Sequence, residues 1–204
     1  MESTKQDKRL IKGEQMRQSI LLAAIDIISS EGISQVSAAK IAASIGTSKS
    51  NIFHHFKTSE AILLGVHDFI YEGFEASFSL SETDLKIYLT KLGESLFTSK
   101  ESMRIYKAFY AFYNEGLFNE TFNKKLDDST ALLLRMIGLQ LASICAHQGI
   151  EDPQLSERIK IVALGILCFL DGGGLHHMLN PELQYLDDVW ELQMAMWVDY
   201  LSGK

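Results

Sequence analysis

Long runs in which apolar residues recur at helical spacing, interrupted by few turn residues, make this an all-α chain. The most informative stretch is residues 37–56, SAAKIAASIGTSKSNIFHHF, where two short helical patterns flank one glycine. Ser37 can cap the first pattern, Ala38 and Ala39 favour helix, and Ile41, Ala42 and Ile45 supply a narrow buried face. Gly46 ends it, because glycine takes the left-handed conformation without steric cost, and Thr47 and Ser48 offer hydroxyls that cap a restart. In the second helix Ile52 and Phe56 lie four apart and point inward, leaving Lys49, Ser50, Asn51, His54 and His55 on its other sides. The layout is that of a helix-turn-helix.

Downstream the pattern predicts six further helices. The fourth runs over 59–78, weakened locally by Gly65 and Gly73, with its end in 79–84. A fifth covers 84–99, a sixth 102–113 with a turn at Asn114-Glu115-Gly116, and a long seventh 120–147 with Gly149 beyond it. Pro153 and Pro181 open the eighth and ninth, which end near Met178 and Leu201. No repeat, linker or low-complexity segment is visible.

The outer face of the second short helix is polar, cationic and short. Such a face fits the major groove of DNA: hydroxyl, amide and imidazole groups reach base edges while a lysine and backbone amides meet phosphates. The candidates are Lys49, Ser50, Asn51, His54 and His55, with the cap and turn hydroxyls of Ser37, Thr47 and Ser48 beside them. The same pattern also suits a plain two-helix corner with a solvated face. Charge placement favours DNA. The chain carries a formal net charge of −7, yet residues 1–58 hold eight Lys and Arg against five Asp and Glu, and the remainder eleven against twenty-one. Positive charge thus gathers on the segment with the corner, and the acidic remainder is repelled by DNA. Lys5, Lys8, Arg9, Lys12 and Arg17 read as an arm that leans on the phosphate backbone, or as an ordinary soluble terminus.

These residues resemble the TetR family of transcriptional repressors over roughly the first 65 residues. The resemblance takes in a first helix over 15–32, with Arg17 near its start, Ile20, Ala24, Ile27 and Ile28 on one face and Gly32 as its stop. It continues through Ile41-Ala42, Gly46, Ser48-Lys49 and the I-F-H-H-F run to F-K-T-S-E-A-I-L, which opens the fourth helix. Three positions depart from the family pattern: Ser50 stands at a usual glycine, Phe53 at a usual tyrosine, and Ser59 at a frequent phosphate-contacting lysine whose charge Lys57 can replace. Phe53 and Lys57 therefore join the DNA-contact candidates. The resemblance implies a three-helix DNA-binding domain over 1–58 and a helical ligand-binding and dimerisation domain over 59–204, about nine helices in all.

Tyr106, Phe109, Tyr110 and Tyr113 form one stripe of the sixth helix, with Phe112 beside it, and Phe69, Tyr71, Phe74 and Phe78 crowd the fourth. Such stripes usually pack a core. Several tyrosines directed into one cavity also make an apolar pocket with polar handles. Since the family binds an effector between these helices, the resemblance implies a pocket including Phe74, Phe78, Tyr106, Phe109, Tyr110, Tyr113, Met136 and His176. It would suit a lipophilic small molecule or a quaternary ammonium held by aromatic faces.

The last two helices read as a homodimer surface. Ile159, Val162, Ala163, Ile166, Leu167 and Leu170 give the eighth a wide apolar stripe, and Val189, Leu192, Met196 and Tyr200 do so for the ninth. Gly165 and Gly172-Gly173-Gly174 permit close backbone approach, or the triple glycine bends or ends the helix. The segment from Ala163 to Pro181 loosely resembles TetR regulators of the betaine-regulator type.

At 204 residues and 47% hydrophobic content the chain can bury a sizeable core. The apolar run over 159–170 is short and interrupted for a membrane span, and the two cysteines, Cys145 and Cys168, carry neither a disulfide framework nor metal spacing. Both features place the chain in the cytoplasm. No zinc-protease, nucleophile-elbow or phosphate-loop motif suggests an enzyme or a cofactor. His54-His55 and His176-His177 are helical neighbours about 100° apart, so neither pair chelates a metal alone. The expected function is a ligand-responsive repressor that binds an inverted-repeat operator as a homodimer; a helical small-molecule-binding or interaction protein with weakened DNA binding is the alternative.

Overall fold

The structure, a computed structural model, describes residues 3–78, 81–97 and 100–203. Among these, nine α-helices and one 3-10 turn follow in order, with no strand: α1 (Ser3–Glu31), α2 (Ala38–Ser44), α3 (Lys49–His55), α4 (Ser59–Phe78), α5 (Leu85–Phe97), α6 (Lys100–Gly116), α7 (Glu120–His147), α8 (Leu155–Leu179) and α9 (Leu186–Ser202). The expected ends of the fourth helix near Ser79 and of the fifth at Ser99 fall outside the described residues, as does the Lys5 side chain.

Local chemistry accounts for most boundaries. Ser37 and Ser48 cap α2 and α3 by accepting from the Lys40 and Asn51 amides, and Asn119 caps α7 through the Thr121 and Phe122 amides. Three boundaries differ from the sequence expectation. α1 starts well before Gln15, so Lys8, Arg9 and Lys12 lie exposed along a helix. α6 continues through Asn114-Glu115-Gly116, and the turn falls at Leu117-Phe118. Finally, α9 opens at Leu186 rather than at Pro181, because Tyr185 adopts a left-handed φ of 68° that a helix cannot contain.

One apolar core runs from Ile20 to Leu201. α1 packs on α2, α3 and α4 and also on α6, where Arg104 pairs with Asp26. Gly65 of α4 seats the end of the corner: a Cβ there would lie 2.8 Å from Phe56 Cε1, and the Arg17 guanidinium lies over that ring, 4.3 Å from its centroid. α4, α6, α7 and α8 form a second layer, and α5 and α9 close against α8.

α7 and α8 are each long and apolar enough to cross a membrane, which corrects the reading of the second as too short. Leu133, Ile137 and Leu141 of α7 and Val162, Ile166 and Leu170 of α8 nevertheless pack into the helical core.

The expected dimer stripes divide. On α8 the stripe from Ile159 to Leu170 is buried within the chain, whereas Ile161 and Leu164 are exposed. On α9 the expected Val189, Leu192, Met196 and Tyr200 are exposed, and Trp190, Met194, Trp197 and Leu201 fill the core. Gly165 meets Trp197 of the same chain, 3.1 Å from a built Cβ, so its close approach serves α8–α9 packing. The triple glycine neither ends nor breaks α8.

Candidate functional site

Local sequence builds the corner. Gly46 sits at φ +66°, where any other L side chain is strained, and Thr47 donates its backbone N–H to the Ala42 carbonyl at 2.9 Å. Ile41 and Ile52 are fully buried and clamp α2 to α3. This leaves Lys49, Ser50, His54 and Lys57 exposed on and beside α3, with Ser37, Ser48 and Thr47 around the turn. Asn51 is half-buried and donates through Nδ2 to Thr47 Oγ1 at 2.9 Å, so its amide also braces the turn. Phe53 is half-buried, with the Lys49 ammonium 5.7 Å from its ring centroid. The ring faces the Lys49 cation, and the residue lacks a phenol hydroxyl to donate to a phosphate. Burial first, then the neighbouring His54 charge, lowers the His55 pKa, which favours the neutral imidazole, a donor and an acceptor at once. All ten sequence candidates therefore lie on one corner.

The second assembly is a cavity where α4, α6, α7 and α8 meet. Tyr71, Phe74 and Phe78 of α4 face Tyr106, Phe109 and Tyr113 of α6, with Thr130 and Leu133 of α7 and Leu167, Leu170 and Asp171 of α8 closing it. Centroid separations of 5.1 Å for Phe74–Phe109, 5.8 Å for Phe74–Tyr106 and 4.8 Å for Phe109–Tyr113 are those of tilted and edge-on aromatic contacts. The space between the rings is about 20 Å³, room for a single water, so a larger occupant must push rings apart. Tyr110 lies behind Tyr106 and donates to the Asp171 carbonyl. Met136 and His176 do not reach the cavity: Met136 is half-buried elsewhere on α7, and His176 is exposed because it sits on the outer side of α8.

Sequence reasoning passed over Asp171. It follows the α8 stripe at i+4 from Leu167 and so falls on the buried side, a signal available from spacing alone. Tyr113 donates to its Oδ2 at 3.1 Å, and among the described residues no cation pairs with it. Burial raises its carboxyl to about 6, against the lowering effect of the Tyr113 hydrogen bond. Burial likewise raises Tyr71 to about 12 and moves Tyr106, Tyr110 and Tyr113 upward, so all four phenols remain protonated donors. Two larger grooves, of about 780 Å³ between α5 and α9 and about 740 Å³ between α7 and α8, are open clefts without such convergence of rings and polar groups. A pocket is better judged by convergence than by volume.

Residues 20–66, from α1 through the corner into α4, match the family of bacterial regulatory proteins of TetR type. Across nearly its whole length the chain is also similar to solved structures. A transcriptional regulator from Rhodococcus sp. Rha1 is 20% identical, with TM-score 0.72 over 90% of this chain and 96% of that one. A Saccharomonospora viridis protein solved in complex with choline is 19% identical, with TM-score 0.69 over 94% and 97%. A TetR transcription regulator from Haloarcula marismortui is 16% identical, with TM-score 0.72 over 93% and 98%. At these identities the likeness is one of fold. No curated protein matches the chain in sequence. The capped corner thus lies inside a segment that matches the TetR-type DNA-binding family model, and the chain as a whole shares the helical fold of solved transcriptional regulators, TetR regulators among them.

Proposed function

We propose that the chain is a ligand-responsive repressor that binds an inverted-repeat operator as a homodimer and is released by a small molecule held in the aromatic cavity. The observation that carries this reading is that α4 and α6 each wall the cavity and each pack on α1 of the DNA-binding corner. An occupant that parts the rings must move at least one of these helices. A two-fold dimer sets two recognition helices one DNA turn, ~34–36 Å, or a multiple apart. A shift of either helix changes that spacing, and the effect on DNA affinity equals the effector's preference between the two arrangements, ~1–3 kcal/mol in typical cases. The choline complex of a protein with this fold supports a small-molecule occupant here.

The exposed apolar residues of the last two helices support the dimer: Ile161 and Leu164 on α8, and Leu192 and Met196, at 60% and 56% exposure, on α9. Rows of this kind on a soluble chain mark an interface. Leu192→Glu is expected to convert dimer to monomer in sedimentation velocity at micromolar concentration with the helical content unchanged; a dimer that persists at the same concentration places the interface elsewhere.

The test of the whole reading is a salt-dependent titration of DNA from the protein's own upstream region, with unrelated DNA as competitor. Tight, salt-sensitive preference for an inverted repeat supports the regulator, and equal weak binding to both favours a small-molecule-binding protein without an operator. In the same assay Lys49→Ala is expected to weaken binding to all sequences alike and to lower the slope of log K against log salt by about one for each half-site, as for one lost phosphate contact.

A further inference from the structure

Side chains that can carry a positive charge are seldom buried unless an anion accompanies them. Among the described residues one such side chain is fully buried, His67 of α4, at 1% exposure. Its imidazole stacks on Tyr71, with centroids 4.4 Å apart and planes at 24°, and meets Phe112 of α6 edge-on at 5.8 Å. Nδ1 lies 3.4 Å from Asp68 Oδ1, a long contact, and the Lys125 ammonium of α7 holds that same oxygen at 2.7 Å. Nε2 has no hydrogen-bond partner among the described residues. The neutral ring tolerates this site: with its proton on Nδ1 it faces Asp68 and leaves only a lone pair uncovered. A second proton puts a charge and an unmade N–H donor at Nε2, and both are costly away from water. The Tyr71 face offsets part of that cost, and the phenol itself stays protonated. Burial outweighs the Asp68 contact and lowers the His67 pKa from its ordinary value, and Lys125 lowers it further. On the remaining helices packed against α4, Asp26 of α1 pairs with Arg104 of α6, and α5 meets the far end, where Tyr88 donates to the Phe78 carbonyl.

Resting on the reading of α4 and α6 as the levers on the DNA-binding corner, we propose that His67 is a proton-operated switch: acidification charges its ring, which leaves its place between Tyr71 and Phe112, parts α4 from α6 and releases the operator. The placement of the ring carries this. It lies between the two helices that each pack on α1, and Gly65, two residues before it, seats Phe56 of the corner. A ring that reaches water recovers its ordinary pKa of 6.5, so the closed packing is favoured above that pH and loses ground as the pH falls below it.

The test uses the full-length protein, with protons as the ligand. Operator DNA is titrated at about pH 7.5 and about pH 5.5 at constant ionic strength with three proteins: the parent; His67→Phe, which keeps a ring between Tyr71 and Phe112 that cannot be charged; and His67→Gln, which reads the same effect should the phenyl ring not fit. The other histidines and Asp171 are common to all three, so their contributions cancel in the ratio of parent to variant affinity. That ratio is expected to fall at least threefold on acidification. Its ceiling is about tenfold for one protomer, the change in proton uptake of a ring at its ordinary pKa over this interval. Amide exchange across α4 and α6, compared between parent and variant at the same pH, should quicken in the acidified parent alone. A smaller fall in the ratio overturns the switch; if the parent's melting temperature still drops on acidification relative to the variant's, His67 bears on folding alone. A fall without faster exchange overturns the parting of α4 and α6. No operator preference at the higher pH overturns the regulator reading and the switch with it, whereas operator preference with a flat ratio leaves the regulator and removes the switch.

Discussion

Replacing Ile52 by aspartate is expected to remove specific DNA binding, by at least a hundredfold, while the helices downstream of α4 remain folded. Ile52 has no exposed surface and is the inward anchor of α3, a helix of only seven residues whose other inward anchor is Phe56. So short a helix has little stability of its own and depends on the face it buries. An aspartate there either carries an unpaired charge into the core between α2 and α3 or drags the helix outward. The first course costs several kcal/mol and the second dissolves the recognition surface. The damage stays local because α1 has a second set of contacts with α6, including the Arg104–Asp26 pair, and segments open in cooperative units. Operator titration and amide hydrogen exchange read the two effects separately. Retention of operator affinity within threefold of the parent, with protected α3 amides, would contradict this packing. Ser50→Ala, at an exposed position of the same helix, should leave stability unchanged.

The largest purely structural effect is expected at Gly93. A Cβ added there would lie 2.4 Å from Trp190 Nε1 and 2.8 Å from Cε2, well inside van der Waals contact. Trp190 is held by two rings. It is buried against Phe169 and Trp197, with ring centroids 5.2 and 5.5 Å distant. Gly93→Ala therefore has to shift either the Trp190 indole or α5 against α9, and overpacking of this kind costs about 1–3 kcal/mol. The gain in helix propensity from glycine to alanine, about 1 kcal/mol, works in the opposite direction. In a chain of this length each kcal/mol is about 2–4 °C, so thermal unfolding should begin several degrees lower. Trp190→Phe in the Gly93→Ala background should recover part of the loss, because the smaller ring withdraws the indole edge; the two changes are then non-additive. An unchanged midpoint for Gly93→Ala would mean that Trp190 has room that the packing does not show.

How much could be read from the chain depended on the reach of each interaction. Ser37, Gly46, Ser48, Ile52 and Phe56 act within one or two helical turns, so caps, turn and inward face could be assigned in order. Gly65 could be seen to weaken α4 but not to make room for Phe56, since that contact joins two elements. On the aromatic stripe of α6 the spacing placed the rings on one face. It could not say that Asp171 of α8 would meet them, nor that His176, one and a half turns further along α8, would face out.

What the sequence by itself determined is the helical character, the helix-turn-helix and its exposed cationic face, because hydrophobic period, capping and left-handed turns are encoded by neighbours. What only the tertiary structure decided is which of two apolar stripes on α9 is core. Trp190, Met194, Trp197 and Leu201 turned inward and Val189, Leu192, Met196 and Tyr200 outward. Tertiary contact also paired α1 with α6 and closed a carboxylate into a ring of aromatics. The physical reason is common to all three: a helix with apolar residues on both sides has no local preference for either, and burial is awarded by whichever neighbours pack best across distances that periodicity does not span.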